Sequence, residues 1–287
     1  MKSTLMLLLI GSLAAYAQTE EHLNKQFTVK PGGKLVVDVD FGSIDVTTSP
    51  TSTVSVDAFR KVQRGGKADE EAFLRDRPVT ISQDGDTITV QARAKSKEGW
   101  SWRGSQRTEG KYTISVPAEF NAQVKTSGGS IAITDLKGEV KAKTSGGNLK
   151  LTRVRGPLDG NTSGGNVRVT GCQGALSVHT SGGNIDVENA VGKVEATTSG
   201  GHVAARLASA VSDDVVLKTS GGNVTLRVPE KSAFDLDAST SGGSVNSDLP
   251  VSTAGKPKRT HLKGPVNGGG KEVVLRTSGG NIQVKKL

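Results

Sequence analysis

The chain has 287 residues, 37 of them glycine, and aromatic residues make up only 3%. A composition so rich in glycine and so poor in aromatics excludes an ordinary two-layer globular core and favours a repeat architecture. The single cysteine excludes an intramolecular disulfide, and a formal net charge of +9 suits an anionic partner.

Residues 1–17 read as a secretory signal. Lys2 precedes an apolar stretch over residues 5–15, and "AYA" before Gln18 fits a small-x-small cleavage site. That stretch is short for a membrane span, no second one follows, and no cysteine after the cleavage site offers a lipid attachment point. The mature chain is therefore expected to start at Gln18 and to be soluble outside the cytoplasm, as a periplasmic, surface or secreted protein. An uncleaved N-terminal anchor is the competing reading. Export makes nucleic acid an unsuitable partner. An anionic envelope polysaccharide, such as lipopolysaccharide or teichoic acid, fits the sign of the charge, as does another surface protein; the plainer alternative is a solvated surface with excess lysine.

Residues 18–125 read as degenerate repeat. "GKLVVDVDFGSIDV", residues 33–46, aligns without a gap on "GEVKAKTSGGNLKL", residues 138–151, which puts Leu35, Val37, Val39, Ile44 and Val46 in apolar slots. An excursion over residues 65–78 predicts a short helix around Asp69 to Asp76. A basic loop over residues 95–107 carries Trp100 and Trp102 among Arg93, Lys95, Lys97, Arg103 and Arg107. Those rings are suited to stacking on sugars while the cations pair with acidic groups. The bland reading packs the tryptophans on the flank.

Residues 126–287 are the regular part. TSGG begins at Thr126, Thr144, Thr162, Thr180 and Thr198, each 18 residues after the last, and again at Thr219, Thr240 and Thr277. The period reads T-S-G-G-N-h-x-h-x-x-h-x-G-x-h-x-h-x, where h is apolar. Alternation on both sides of the tetrad predicts two short strands per repeat. The chain is thus expected to be all-β, a single-stranded parallel β-helix, or β-solenoid, with coils of about 18 residues.

The tetrads are expected to be structural corners. Gly128, Gly129, Gly146, Gly147, Gly164, Gly165, Gly182 and Gly183 are read as taking backbone angles closed to other residues. Asn148, Asn166 and Asn184 then stack their amides into a ladder, with His202 as a tolerated substitute. Cys172 falls in an inward slot as an inert thiol. A second basic loop over residues 250–271 holds Lys256, Lys258, Arg259, His261 and Lys263. Lys285 and Lys286 are suited to blunting a final strand edge.

The N-terminal "GKLVVDVDFGSIDV", the junction "TISVPAEFNAQVKTSGGSI" and the serial TSGGN turns resemble the bacterial adhesin-type family catalogued as domain of unknown function 4097. The resemblance spans nearly all of the mature chain. It implies a parallel β-helix at the cell envelope or surface and brings no catalytic residues.

No reaction chemistry stands out. Outward slots mix Lys141, Asp159, Ser177 and Glu195, unlike the carboxylate rows of β-helix lyases. The tetrad lacks the aspartate of calcium-binding nonapeptides, no G-x-S-x-G occurs, and His22, His179, His202 and His261 have no metal-ligand spacing. The adjacent pair Asp213 and Asp214 is isolated. No cofactor or metal is expected, and the expected function is non-enzymatic: an adhesin or envelope scaffold. A carbohydrate-active enzyme on the same fold and a self-stacking filament subunit are the alternatives.

Overall fold

The computed structural model of the protein describes residues 19–63, 66–94, 107–254, 256 and 258–287, so the expected signal lies outside the described residues. The N-terminal part forms β1 (Thr19–Thr28), β2 (Lys34–Val39), β3 (Ser43–Ser49), β4 (Thr53–Gln63), helix α1 (Lys67–Asp76), β5 (Thr80–Asp84), β6 (Thr87–Ala92) and β7 (Arg107–Pro117). The regular coils follow as strand pairs. They are β8 (Asn121–Thr126) with β9 (Ile131–Thr134), β10 (Val140–Lys143) with β11 (Leu149–Thr152), and β12 (Leu158–Asn161) with β13 (Val167–Thr170). After them come β14 (Leu176–Thr180) with β15 (Ile185–Ala190), β16 (Val194–Thr198) with β17 (Val203–Leu207), and β18 (Val215–Lys218) with β19 (Val224–Val228). The C-terminal part holds β20 (Phe234–Thr240), β21 (Val245–Ser247), β22 (His261–Val266), β23 (Lys271–Thr277) and β24 (Ile282–Lys286).

One strand of each coil joins a first sheet, ordered β1-β4-β7-β3-β9-β11-β13-β15-β17-β19-β24-β21. The other joins a second, ordered β22-β20-β23-β18-β16-β14-β12-β10-β8-β2-β6-β5. The fold is a parallel β-solenoid. Its register places each apolar slot over its equivalent: Ile131, Leu149, Val167, Ile185 and Val203 stack in the first sheet, and Val140, Leu158, Leu176, Val194 and Val215 in the second. All of these are buried, as are Leu136, Val154, Cys172 and Ala190 at the corner opposite the tetrad. The inward faces of the two sheets are filled mainly by valine, leucine, isoleucine and alanine, with Tyr112, Phe120 and Phe234 as the buried rings among the described residues.

The tetrad solves a backbone accounting problem. The threonine is buried, with its hydroxyl donating to the carbonyl of the second glycine one coil back: Thr162 Oγ1 to Gly147 O at 2.8 Å, Thr180 Oγ1 to Gly165 O at 2.8 Å. The same oxygen accepts the N–H of its own second glycine, as in Gly165 N to Thr162 Oγ1 at 3.3 Å. The first glycine's N–H donates to the serine carbonyl one coil back, Gly182 N to Ser163 O at 3.0 Å.

The glycines differ from the expectation. No tetrad glycine among the described residues has φ in the left-handed region; what constrains the second one is proximity. A Cβ on Gly165 would lie 1.9 Å from Gly147 O, whereas one on Gly164 would meet only ordinary contact at 3.7 Å. Left-handed backbone occurs instead at the opposite corner, as at Gly156, with φ 133°. The asparagine ladder is present with a different donor. Asn148 Oδ1 accepts the backbone N–H of Asn166, Asn166 Oδ1 that of Asn184, and Asn184 Oδ1 that of His202, each at 2.8 Å. His202 continues the ladder by accepting Asn223 N–H at Nδ1, 2.8 Å.

The ends depart most from a simple stack. The coil β2–β3 lies between β6–β7 and β8–β9, and the coil β23–β24 lies between β18–β19 and β20–β21, so coils at both ends are intercalated out of chain order. Lys285 and Lys286 accordingly do not sit on an edge strand; β24 is interior, and the three-residue β21 forms that edge. Asp214, at the long turn before β18, accepts Glu272 N–H at 3.2 Å and helps seat the inserted coil.

Antiparallel strands close the ends: β1 and β5 at one, β22 at the other. At the N-terminal end, α1 begins two residues before the expected start. Its Phe73 meets Phe41 with ring centroids 5.7 Å apart, and Arg77 lies over Phe73 at 4.4 Å. Near α1, the fully buried Arg60 donates to the Glu21 carboxylate and the Arg77 carbonyl. Burial pushes the neighbouring Tyr112 hydroxyl up to about 12.

Gly165→Ala is expected to destabilise the fold by about 3 kcal/mol or more, whereas Gly164→Ala should stay within roughly 0.5 kcal/mol of the parent. Urea denaturation of both variants checks this; equal effects would contradict the close-approach account.

Candidate anion-binding site

In the first basic loop, Lys95, Lys97, Trp100, Trp102 and Arg103 lie outside the described residues. Its root is defined. Arg93 Nε donates to Asp38 Oδ1 at 2.8 Å and Nη1 to Asp40 Oδ1 at 2.9 Å, while Asp40 Oδ2 accepts Ala94 N–H at 2.7 Å. The Asp38 hydrogen bond raises the guanidinium pKa above its ordinary value, with Asp40 adding to the effect against partial burial. Arg93 is therefore a structural clamp rather than a ligand-facing cation. Arg107 opens β7 as an exposed residue opposite Gln63.

The second basic loop proves to contain a strand. Residues 261–266 pair with β20 at the edge of the second sheet, where Pro265, which has no N–H to donate, is tolerated. The chain before β22 folds back on it. Ser252 N–H donates to Pro265 O at 2.9 Å, and a Cβ on Gly264 would lie 2.1 Å from Ser252 O, so glycine is required for the approach.

Between these segments opens a cavity of about 450 Å³ walled by Ser252, Lys256, Lys258, His261 and Lys263. Arg259 does not line it; its carbonyl accepts Val245 N–H at 2.8 Å and ties the loop to β21. Lys256 and Lys258 are exposed and form no ion pair among the described residues. Lys263 reaches Asp237 at 3.7 Å, a carboxylate already held by Arg276 at 2.9 Å. That Arg276 hydrogen bond, followed by the nearby cationic charge, holds Asp237 below the usual carboxylate range. One carboxylate thus answers two cations here, and the cavity keeps a positive excess that suits an anion. Ser252 escaped sequence reasoning because only the fold-back places it beside the lysines.

Other candidate positions are structural. Gly128, Gly129, Gly146, Gly147, Gly182 and Gly183 lie in tetrad corners like those of Gly164 and Gly165. Arg168 pairs with Asp186 of the next coil at 3.1 Å, and Lys141 with Glu139 at 2.7 Å, so the outward rows contain ion pairs. Among the described residues no group of three His, Cys, Asp or Glu side chains is placed to hold a metal ion, and no helix is long and apolar enough to cross a membrane. Burial pushes the Cys172 thiol up to about 11.

The profile of the Toastrack DUF4097 family matches residues 33–285. The chain belongs to the Toastrack family. Among solved structures, a "putative adhesin" from Bacteroides fragilis is similar at 15% identity and a TM-score of 0.48, over 93% of this chain and 97% of that one. A "putative adhesin" from Parabacteroides distasonis shows 12% identity and a TM-score of 0.41, with the same coverages of 93% and 97%. A "putative cell adhesion protein" from Clostridium sporogenes shows 13% identity and a TM-score of 0.27, over 94% of this chain and all of that one. No curated protein matches the chain. The corner chemistry of this Toastrack chain thus stands on its own geometry.

Because the thiolate is the reactive form, Cys172 should resist a thiol-reactive dye at neutral pH in the native protein and label fully in denaturant. Rapid native labelling would place the thiol outside the core.

Proposed function

We propose that this Toastrack protein is an exported, non-enzymatic solenoid of the cell envelope, an adhesin or scaffold, whose C-terminal pocket binds anionic polysaccharide. The observation that carries the reading is the convergence of Lys256, Lys258, His261 and Lys263 on one cavity, with Asp237 as the near carboxylate. Ammonium groups on flexible stems suit scattered carboxylates or phosphates on a sugar chain better than a single rigid anion. Ser252 adds hydroxyl chemistry for sugar hydroxyls. The family resemblance supports an envelope location, and the neighbouring solved proteins carry names of the same kind. End-to-end self-stacking is less favoured, since antiparallel β1, β5 and β22 and the short β21 occupy the sheet edges.

Co-sedimentation with an insoluble uronic-acid polysaccharide tests the reading. Retention is expected at physiological salt, where screening acts over ~8 Å, and Lys256→Glu/Lys258→Glu should abolish it. Binding that disappears with salt and ignores the variant would reduce the effect to bulk charge and sink the pocket.

A further inference from the structure

The residue immediately before each tetrad lies in one row on the outer face of the second sheet. Lys125 pairs with Lys143, Lys143 with Asn161, Asn161 with His179, His179 with Thr197, and Thr197 with Lys218. Lys218 pairs with Arg276, Arg276 with Ser239, and Ser239 with His261. Register partners project from the same face, so the row runs without a break into the His261 wall of the pocket. At ~4.8 Å per strand its eight steps cover roughly 38 Å.

The row is cationic and narrow. Lys125, Lys143, His179 and Lys218 are exposed, and the three lysines form no ion pair among the described residues. A cavity of about 260 Å³ opens beside Lys125 and Lys143. Between the cations stand hydrogen-bonding side chains, Asn161, Thr197 and Ser239. Along the corner side the exposed tetrad serines, Ser145, Ser163 and Ser181 among them, form a parallel line of hydroxyls. On the opposite side the next row mixes Asp159 and Glu195 with Ser177 and with Lys141, whose charge is answered by Glu139.

We propose that this row is a track for a single linear acidic polysaccharide laid along the solenoid axis, with one end in the pocket. The inference rests on the pocket reading above and adds direction and length to it. The three unpaired lysines stand in a single row, and Asp159 and Glu195 stand in the mixed row beside it, which suits one chain better than a broad anionic surface such as a bilayer. No phenylalanine, tyrosine or tryptophan lies in the row as a platform for bases, which disfavours single-stranded nucleic acid. A polymer bearing one carboxylate per sugar offers repeated contacts to lysines repeated by the coil, so affinity rises with length through effective concentration.

Calorimetry on the purified protein with galacturonate oligomers at physiological salt tests the track. An octasaccharide is expected to bind roughly tenfold or more tighter than a disaccharide. Lys143→Glu/Lys218→Glu should remove that gain and leave disaccharide binding in place, with Lys143→Gln/Lys218→Gln showing a smaller loss. Circular dichroism establishes that the variants fold; these side chains point outward, and should they fail, the glutamine pair carries the test. Equal affinity for both lengths, or a length gain indifferent to both variants, overturns the track. So does tighter binding to phosphatidylglycerol vesicles or to single-stranded DNA than to the octasaccharide. Absence of disaccharide binding that Lys256→Glu/Lys258→Glu would remove overturns the pocket instead, while a Lys143- and Lys218-dependent length gain would still stand.

Discussion

Everything in this solenoid depends on how closely one coil's backbone lies on the next at the tetrad corner. There the second glycine of each coil has no room for a side chain, because the carbonyl of its counterpart occupies the space. That carbonyl would be buried without a partner, at a cost of about 1–3 kcal/mol, and the threonine hydroxyl of the following coil supplies one. Threonine, glycine and the carbonyl thus form a repeating bond across the stack, with the asparagine side chain satisfying the remaining N–H outside it. Period and spacing follow, since an inserted residue between tetrads must leave as a bulge or turn, as before Asp214.

Much of the architecture is legible from period and alternation alone. The apolar slots of each repeat fill the two sheets in register, and even the N-terminal run around Leu35 and Ile44, which has no tetrad, joins them. The physical reason is that burial on one face is a local decision, made every second residue. The identity of the ladder's donor was less legible, because an asparagine amide can face either a neighbouring amide or a neighbouring backbone N–H. For the tetrad glycines, sequence shows the absence of a side chain and not whether torsion or proximity demands it.

The order of coils was not legible at all. Nothing local in "NIQVKKL" distinguishes a last coil from one that slips between earlier ones, since its apolar slots fit either place. The strand β22 was concealed for a related reason: with Pro265 and a lysine-rich approach it reads as loop, and only an edge position makes it a strand. The basic pocket depends on that edge, so two of the predicted cations, Lys256 and Lys258, converge where Arg259 turns away. The basic row is visible in the sequence once one compares the single residue before each TSGG, a slot that a search for apolar period passes over.

The intercalated coils bear on the lifetime of the folded state. A stack assembled in chain order could also be dismantled in that order, one coil peeling from each end. Here the segment from Lys271 onward is gripped on both faces, so releasing it requires β20, β21 and β22 to swing away first. The N-terminal coil is held in the same manner by β6 and β7. Unravelling that passes the edge strands β1, β5, β21 and β22 must therefore break contacts distant in sequence before an intercalated coil is released, which raises the barrier to unfolding and slows proteolysis that depends on it. Such kinetic persistence adds to whatever equilibrium stability the stack has.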